Sequence, residues 1–387
     1  MNSSLKKQHH ILNPKKRFQF CNTLVPEWEK LSLPTEKDES YRKFPIGSLD
    51  WKELGFDPQK KRELEEIADS ENLTEDHVTG LIEPILSLVK EYLPKDYFTY
   101  LSLMLSKEFK VVVCEDGITT KQITLVGDGP KFCVRIFYIP SGKFSQIVLK
   151  TESNHDSDSL HIQNVLDVFV IDKDSQVEIL DEENFDEDLI QFRTVLLLSK
   201  ENTSVKFHYF PFGGFRSKFL LHSHLLGKGA EVSVDGVSAL GKRNLKDLDM
   251  EMHHHADHTT SKISYKSIVT DKSHHIFTGN LIIPPNLKKV VAHQESFNLS
   301  LNKKARAEAN PKLEVLAEDV SCTHGATVGD IDEEQYFYLL SRGLSPEESK
   351  SLLVTAFYGE TIHNIGFSDE IKHDLESSIH TILVGGK

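Results

Sequence analysis

Residues 193–211 read RTVLLLSKENTSVKFHYFP, two β-prone runs joined by the polar, turn-forming segment Lys200-Glu201-Asn202-Thr203. Val, Leu, Phe and Tyr pack well on a pleated surface, whereas Asn and short polar neighbours bend the chain and end a strand. The same grammar extends in both directions. Upstream it gives KVVVCEDG (110–117), KQITLVGDG (121–129), FCVRIFYIPSG (132–142), SQIVLKTE (145–152) and DVFVIDKDS (167–175). Downstream it gives AEVSVDG (230–236), KISYKSIVTD (262–271), IFTGNLIIPPN (276–286) and KLEVLAEDV (312–320). No amphipathic helix of useful length interrupts residues 110–328, which argues against a doubly wound parallel sheet with helical crossovers. A sandwich, a barrel or a β-helix remains. More than 200 residues of successive strands is long for one sandwich, and the recurrent but irregular spacing points to a stacked β-solenoid, with no clean repeat visible.

The flanks read differently. Before the strands, LSLPTEKDES (31–40) is a polar, proline-marked loop. The stretch 60–93 then carries helical periodicity, with Leu64, Ile67 and Ala68 on one face and a cap at Thr74-Glu75-Asp76-His77 ahead of Val78, Leu81 and Ile82. After the strands, DEEQYFYLLSRG (332–343) offers Asp332 as N-cap, Gln335 three residues later and Gly343 as a stop. SPEESKSLLVTAFYGE (345–360) repeats this with Ser345, Pro346 and Glu348, and predicts an apolar face of Leu352, Leu353, Ala356 and Phe357. A third helix is expected where Ile371, Leu375, Ile379 and Ile382 recur. The expected organisation is an N-terminal helical region (1–110), a β core (111–330) and a C-terminal helical region (331–387).

Composition narrows the function. Of 387 residues 39% are hydrophobic and 27% charged, as in a globular protein able to bury a core. The net charge of -14 excludes a general nucleic-acid or anionic-membrane binder, because such binding needs clustered Lys and Arg. Residues 1–20 form a local exception, a loose basic arm with Lys6, Lys7, Lys15, Lys16 and Arg17 and no acid. No run of about 18 apolar residues exists to span a membrane. Cys21, Cys114, Cys133 and Cys322 are scattered, without a C-x-x-C pair, which fits a reducing, cytoplasmic setting; Cys114 and Cys133 read as small buried hydrophobes. Signatures of nucleotide hydrolysis, zinc proteolysis and serine esterase chemistry are missing.

Two stretches carry ligand-type residues. In SCTHGATVGDID (321–332), Cys322 and His324 share one face if the segment is extended. Thiolate and imidazole suit zinc, iron or copper, but such ions want about four ligands, so this is at most half a site. The bland alternative is a packed cysteine beside turn glycines. In EMHHHADHTTS (251–261), a strand would place His253 and His255 on one face and His254 and His258 on the other, with His274, His275 and His293 following. That pattern fits either a metal site or a polar surface with hydrogen-bonded core histidines.

The stretch AEDVSCTHGATVGDIDEEQYFYLLSRGLSPEESKSLLVTAFYGE (317–360) resembles the C-terminal signature of the SufB/SufD family of iron–sulfur cluster assembly proteins. Cys322, His324, Gly325, Ala326, Thr327, Val328 and Gly329 match the family's SufD-like pattern rather than its H-E-A-T-T-S form. FGGFRSKFLLHSHLLGKGAEVSVDGV (212–237) is similar to the G-x-x-x-S-R segment, with Lys218 for Arg, and HHADHTTSKISYKSIVTD (254–271) to the H-x-x-P-x-T-x-S block, with Asp257 for Pro. FTGNLIIPPN (277–286) is similar to the strand beyond that block, and LSLPTEKDESYRKF (31–44) to an N-terminal family segment, with Tyr41 for Trp.

The resemblance implies a right-handed parallel β-helix between helical ends, and a scaffold rather than an enzyme. It implies pairing with a SufB-like protein and docking of a SufC-like ABC ATPase through the C-terminal helices, whose ATP-driven dimerisation rearranges the shared interface. There His324, and more weakly Cys322, would serve nascent cluster assembly and iron acquisition, with only transient iron or cluster in the complex and no tightly bound cofactor in the chain alone. A homodimer of the isolated chain stays open. So do two other readings, a His/Cys metalloenzyme on a β-helix or barrel, and a SufB-like main scaffold; His253 and His255 remain secondary metal candidates.

Overall fold

The computed structural model describes residues 9–51, 54, 79–107, 109–126, 131–154 and 160–384. Its strands form two sheets that rise together as a β-solenoid. The first sheet contains β1 (His9–Ile11), β2 (Phe109–Val113), β4 (Lys131–Ile139), β6 (His161–Ile171), β8 (Leu189–Ser199), β10 (Arg216–Leu225), β12 (Leu245–His254), β14 (His274–Ile283) and β16 (Arg306–Val315), in that spatial order. The second contains β3 (Gly117–Val126), β5 (Phe144–Asn154), β7 (Gln176–Phe185), β9 (Ser204–Gly213), β11 (Glu231–Leu240), β13 (Thr260–Val269), β15 (Lys288–Ser300) and β17 (Asp319–Asp330). Apart from the antiparallel pair of β1 and β2, every neighbouring pair is parallel, so successive strands alternate between sheets in about seven turns.

Successive rungs stack with varying offset, from 25 residues (Phe109 beside Val134) to 32 (Lys131 beside Gln163), so no fixed repeat is visible in the sequence. The turns keep better time. Asp174, Asn202 and His258 take left-handed backbone, as does Gly229 between the last two. Their amides form a ladder, from Asp174 N to Glu201 O, Asn202 N to Lys228 O, Gly229 N to His258 O and His258 N to Lys288 O. Asn, Asp and Gly tolerate this conformation at least cost, which is why polar tetrads punctuate the strands.

Three apolar layers follow from strand alternation. Between the sheets pack Phe137, Phe169, Val195, Phe207, Phe219, Met250, Ile263 and Phe277. The outer face of the first sheet (Ile136, Val168, Phe192, Leu196) is covered by α1 (Pro14–Trp28) and α3 (Tyr97–Leu105). The outer face of the second sheet (Val148, Leu180, Phe210, Val237, Ile268) is covered by α5 (Pro346–His363) and α6 (Asp369–Val384). α2 (Thr79–Tyr92) and α4 (Glu333–Ser341) complete the helices, and none among the described residues is long and apolar enough to cross a membrane.

Several expectations need correction. The described part of the basic arm is not loose, because Asn13 caps α1 and Lys15, Lys16 and Arg17 lie in its first turn, Arg17 donating to the Lys107 carbonyl, while Lys6 and Lys7 lie outside the described residues. Leu64, Ile67, Ala68, Val78 and the cap at 74–77 lie outside the described residues. Cys114 is fully buried, but Cys133 is only partly so. α5 turns Val354, Tyr358 and Ile362 into the core and leaves Leu352 and Ala356 outside, because the sheet it docks on selects one of several apolar sides. Its capping box of Ser345 and Glu348 is present as read, and Asp332 caps α4 through the Gln335 amide.

Candidate functional site

β17 completes the solenoid's last rung, and its sequence decides what that rung exposes. It pairs only with β15, placing Cys322 beside Ala292 and His324 beside Gln294. Paired residues of parallel strands face the same way, and Ala292 and Gln294 are buried in the interior. Cys322 and His324 therefore share the interior-facing side, as extended geometry predicts. Because no further rung covers them, Cys322 is only half-buried and His324 is exposed. Burial raises the Cys322 thiol above its ordinary pKa, so the isolated chain does not hold it as a ready thiolate. Among the described residues, the His324 side chain has no hydrogen-bond partner, and no group of three His, Cys, Asp or Glu ligand atoms includes either side chain. Gln294 beneath them donates its amide to the Lys312 carbonyl.

The rest of this end is equally unfinished. The outer edges of β16 and β17 offer unpaired backbone groups, and Leu316 (71% exposed) and Val328 (54%) stand beside them. Open strand edges with apolar side chains invite pairing or covering. α4 has no buried residue and presents Phe337 (71% exposed) and Tyr338, with Leu352 of α5 nearby in sequence and also exposed.

The histidine-rich segment resolves into separate roles. β12 ends at His254, so His255 and His258 are not strand residues, and His258 occupies a left-handed turn position rather than sharing a face with His254. His254 points inward and joins the Thr259 and Ser261 hydroxyls across that turn, at 2.7 and 2.9 Å. Burial, then the nearby histidines, lowers it to about 4, so it stays a neutral structural imidazole. His253 and His255 do lie together on the outer face, stacked with His224 at 4.5 and 5.2 Å between ring centroids. His224 Nδ1 and His255 Nε2 are 2.9 Å apart. His222 and Glu251 complete this group, neither of which strand reading singled out. Their signal was the pair of H-x-H patterns at 222–224 and 253–255, which meet only when the rung offset sets His222 beside Glu251 and His224 beside His253. His274 pairs with Glu308, His293 with Glu295, and His275 is buried.

Comparison with known proteins finds several relatives of the chain. Residues 132–357 match the family model described as SUF system FeS cluster assembly, SufBD core domain. An iron-sulfur cluster assembly protein SufD of Escherichia coli K12 is 30% identical over 191 residues, covering 49% of this chain and 45% of that protein. A SufBD family protein of Synechocystis is 32% identical over 129 residues, 33% of this chain and 28% of its own length. A SufD of Plasmodium berghei is 27% identical over 204 residues, 52% of this chain and 15% of its own. The aligned stretch thus spans less than half of these relatives.

Proposed function

Because the chain belongs to the SufB/SufD family of iron–sulfur cluster assembly proteins, we propose that it acts as a SufD-like, non-catalytic subunit whose last rung pairs with a SufB-like protein. The observation that carries this reading is the unfinished rung, where Cys322 and His324 share one face and find no third ligand among the described residues. A tetrahedral or octahedral ion held there needs donors from elsewhere, and a partner rung stacked on β16 and β17 would bring them. Iron or the nascent cluster is then the cargo of the interface, with His324 the principal ligand and Cys322 the secondary one. The exposed face of α4 and α5 is the docking surface for a SufC-like ABC ATPase, since Phe337, Tyr338 and Leu352 contribute nothing to the chain's own core.

The two surfaces are testable separately by co-expression with SufB-like and SufC-like partners. Val328→Arg should remove the SufB-like protein and keep the ATPase, whereas Phe337→Asp with Leu352→Asp should do the reverse. Recovery of both partners with both variants would contradict the assignment.

A further inference from the structure

We propose that His222, Glu251 and His253 form a binding site for a single divalent transition-metal ion on the outer face of the first sheet, independent of the last rung. Strand register builds it. Phe219 and Leu221 of β10, and Leu248, Met250 and Met252 of β12, point into the interior, so the alternate residues His222, His224, Glu251 and His253 point out. His222 Nδ1 lies 3.1 Å from Glu251 Oε2, and His253 Nε2 lies 2.8 Å from the same oxygen. One ligand atom from each of the three residues lies within 4.8 Å of the others. Ligand bonds of about 2.0–2.2 Å need neighbouring donors roughly 3.3–3.6 Å apart in a tetrahedron, so small side-chain rotations close the set around one ion.

A further carboxylate, that of Asp249, stands beside the site, and Lys312 lies close enough to interact with it and with Glu251. His224 stacks behind His253, 4.5 Å between ring centroids. Asp249 lies one outward position along β12, and Lys218 pairs mainly with Asp247, at 3.1 Å against 3.9 Å to Asp249. A cleft of about 360 Å³ between the N-terminal loop and the sheet opens onto His222, Asp249 and Glu251. Tyr92 packs over His224 and His255 and fixes the rear of the cluster. Strands on both sides hold the backbone, so little entropy is lost on binding.

Two imidazole nitrogens and one carboxylate oxygen suit Zn²⁺, Fe²⁺ or Co²⁺ and disfavour ions that want all-oxygen or all-sulfur shells. Three protein ligands leave open positions, which the cleft can supply with water. Binding requires each imidazole to free the nitrogen facing Glu251, its proton moving to the other ring nitrogen or to solvent.

The test uses the untagged full-length chain, stripped with chelator and titrated with Co²⁺ by absorption and calorimetry, with Zn²⁺ competition and an anaerobic Fe²⁺ titration. One equivalent should bind, with a visible spectrum of nitrogen and oxygen ligation and no sulfur-to-metal charge-transfer band. Glu251→Gln and His253→Ala should each weaken it by about 10- to 100-fold or more while melting as the parent does. Cys322→Ser and His324→Ala should leave it unchanged. Absence of stoichiometric binding, undiminished binding in Glu251→Gln and His253→Ala, or loss in the Cys322 variant would overturn the site. If His253→Ala melts early, His222→Gln with a parental melting curve decides the same question.

Discussion

The early rungs of the solenoid and its last rung share one strand grammar but treat polar groups in opposite ways. Between β4 and β9 the interior carries charge, and three carboxylates there share two guanidiniums through hydrogen bonds. Arg193 donates to Asp167 at 2.7 Å, Asp181 at 2.5 Å and Glu183 at 2.7 Å, while Arg135 makes a second pair with Asp167. Tyr209 and Gln191 bond Glu183 as well. In the last rung Cys322 packs at the open end of the interior core, and the His324 side chain faces the same way with no hydrogen-bond partner among the described residues. Burying a charge inside a closed rung costs least when it is hydrogen-bonded, as around Arg193, although Lys246 is buried in β12 with no hydrogen bond among the described residues; a polar group at an open end keeps its access to solvent or a partner. The difference separates polar residues built into the fold from polar residues left exposed at its end.

The sharpest way to break the comparison is to open a closed rung. Arg193→Met leaves Asp167, Asp181 and Glu183 buried with too few cations, and should lower stability by about 3–5 kcal/mol, read as a shift in the urea midpoint. Val328→Ser on the last rung should move it by no more than about 0.5 kcal/mol. Equal effects would erase the distinction. Next in size is Ile362→Ala, which empties a fully buried position where α5 meets the second sheet. It should cost about 2–5 kcal/mol, and a near-neutral result would mean that α5 is not anchored there.

A smaller effect concerns pH. Gly366, just beyond α5, donates its amide to Glu178 at 2.7 Å, and a Cβ at that glycine would meet the same carboxylate at 2.3 Å. Glu178 and Asp235 also hold His208, at 3.1 and 2.6 Å. Burial alone would pull His208 down, but the two carboxylates push it up to about 9 from an ordinary 6.5. A raised folded-state value stabilises fully below 6.5 and is lost as pH climbs through about 9. Stability should therefore fall by on the order of 2 kcal/mol over that window, and His208→Gln should flatten the slope. Glu178, held down to about 2 against the effect of burial, acts in the other direction. Its contribution is present above 4.5 and lost as pH falls through about 2.

Much of this was legible in the residues. Strand runs, polar turns and the capping grammar of Asp332, Gln335, Ser345, Pro346 and Glu348 are local, and local chemistry is written locally. The shared face of Cys322 and His324 also follows from alternation alone. What was hidden depends on stacking offset. The His222, Glu251 and His253 group joins residues about one rung apart, and the offset is 29 residues between β10 and β12 but ranges from 25 to 32 between other strands, so no fixed period in the sequence gives it. The buried face of α5 was misread for a related reason, since Leu352, Val354, Ala356 and Tyr358 are all apolar enough to bury and only docking chooses among them. The charged interior around Arg193 was invisible because an Arg in a strand reads as an outward residue until the opposing carboxylates are placed.

The central claim is that the last rung serves cargo rather than fold, and one measurement reaches it directly. His324→Ala removes an exposed imidazole without leaving a buried charge. In the complex co-expressed with SufB-like and SufC-like partners, iron and sulfide content should fall while the melting curve and subunit composition stay at parental values, with Cys322→Ser milder. Normal iron and sulfide in the His324→Ala complex would contradict the account.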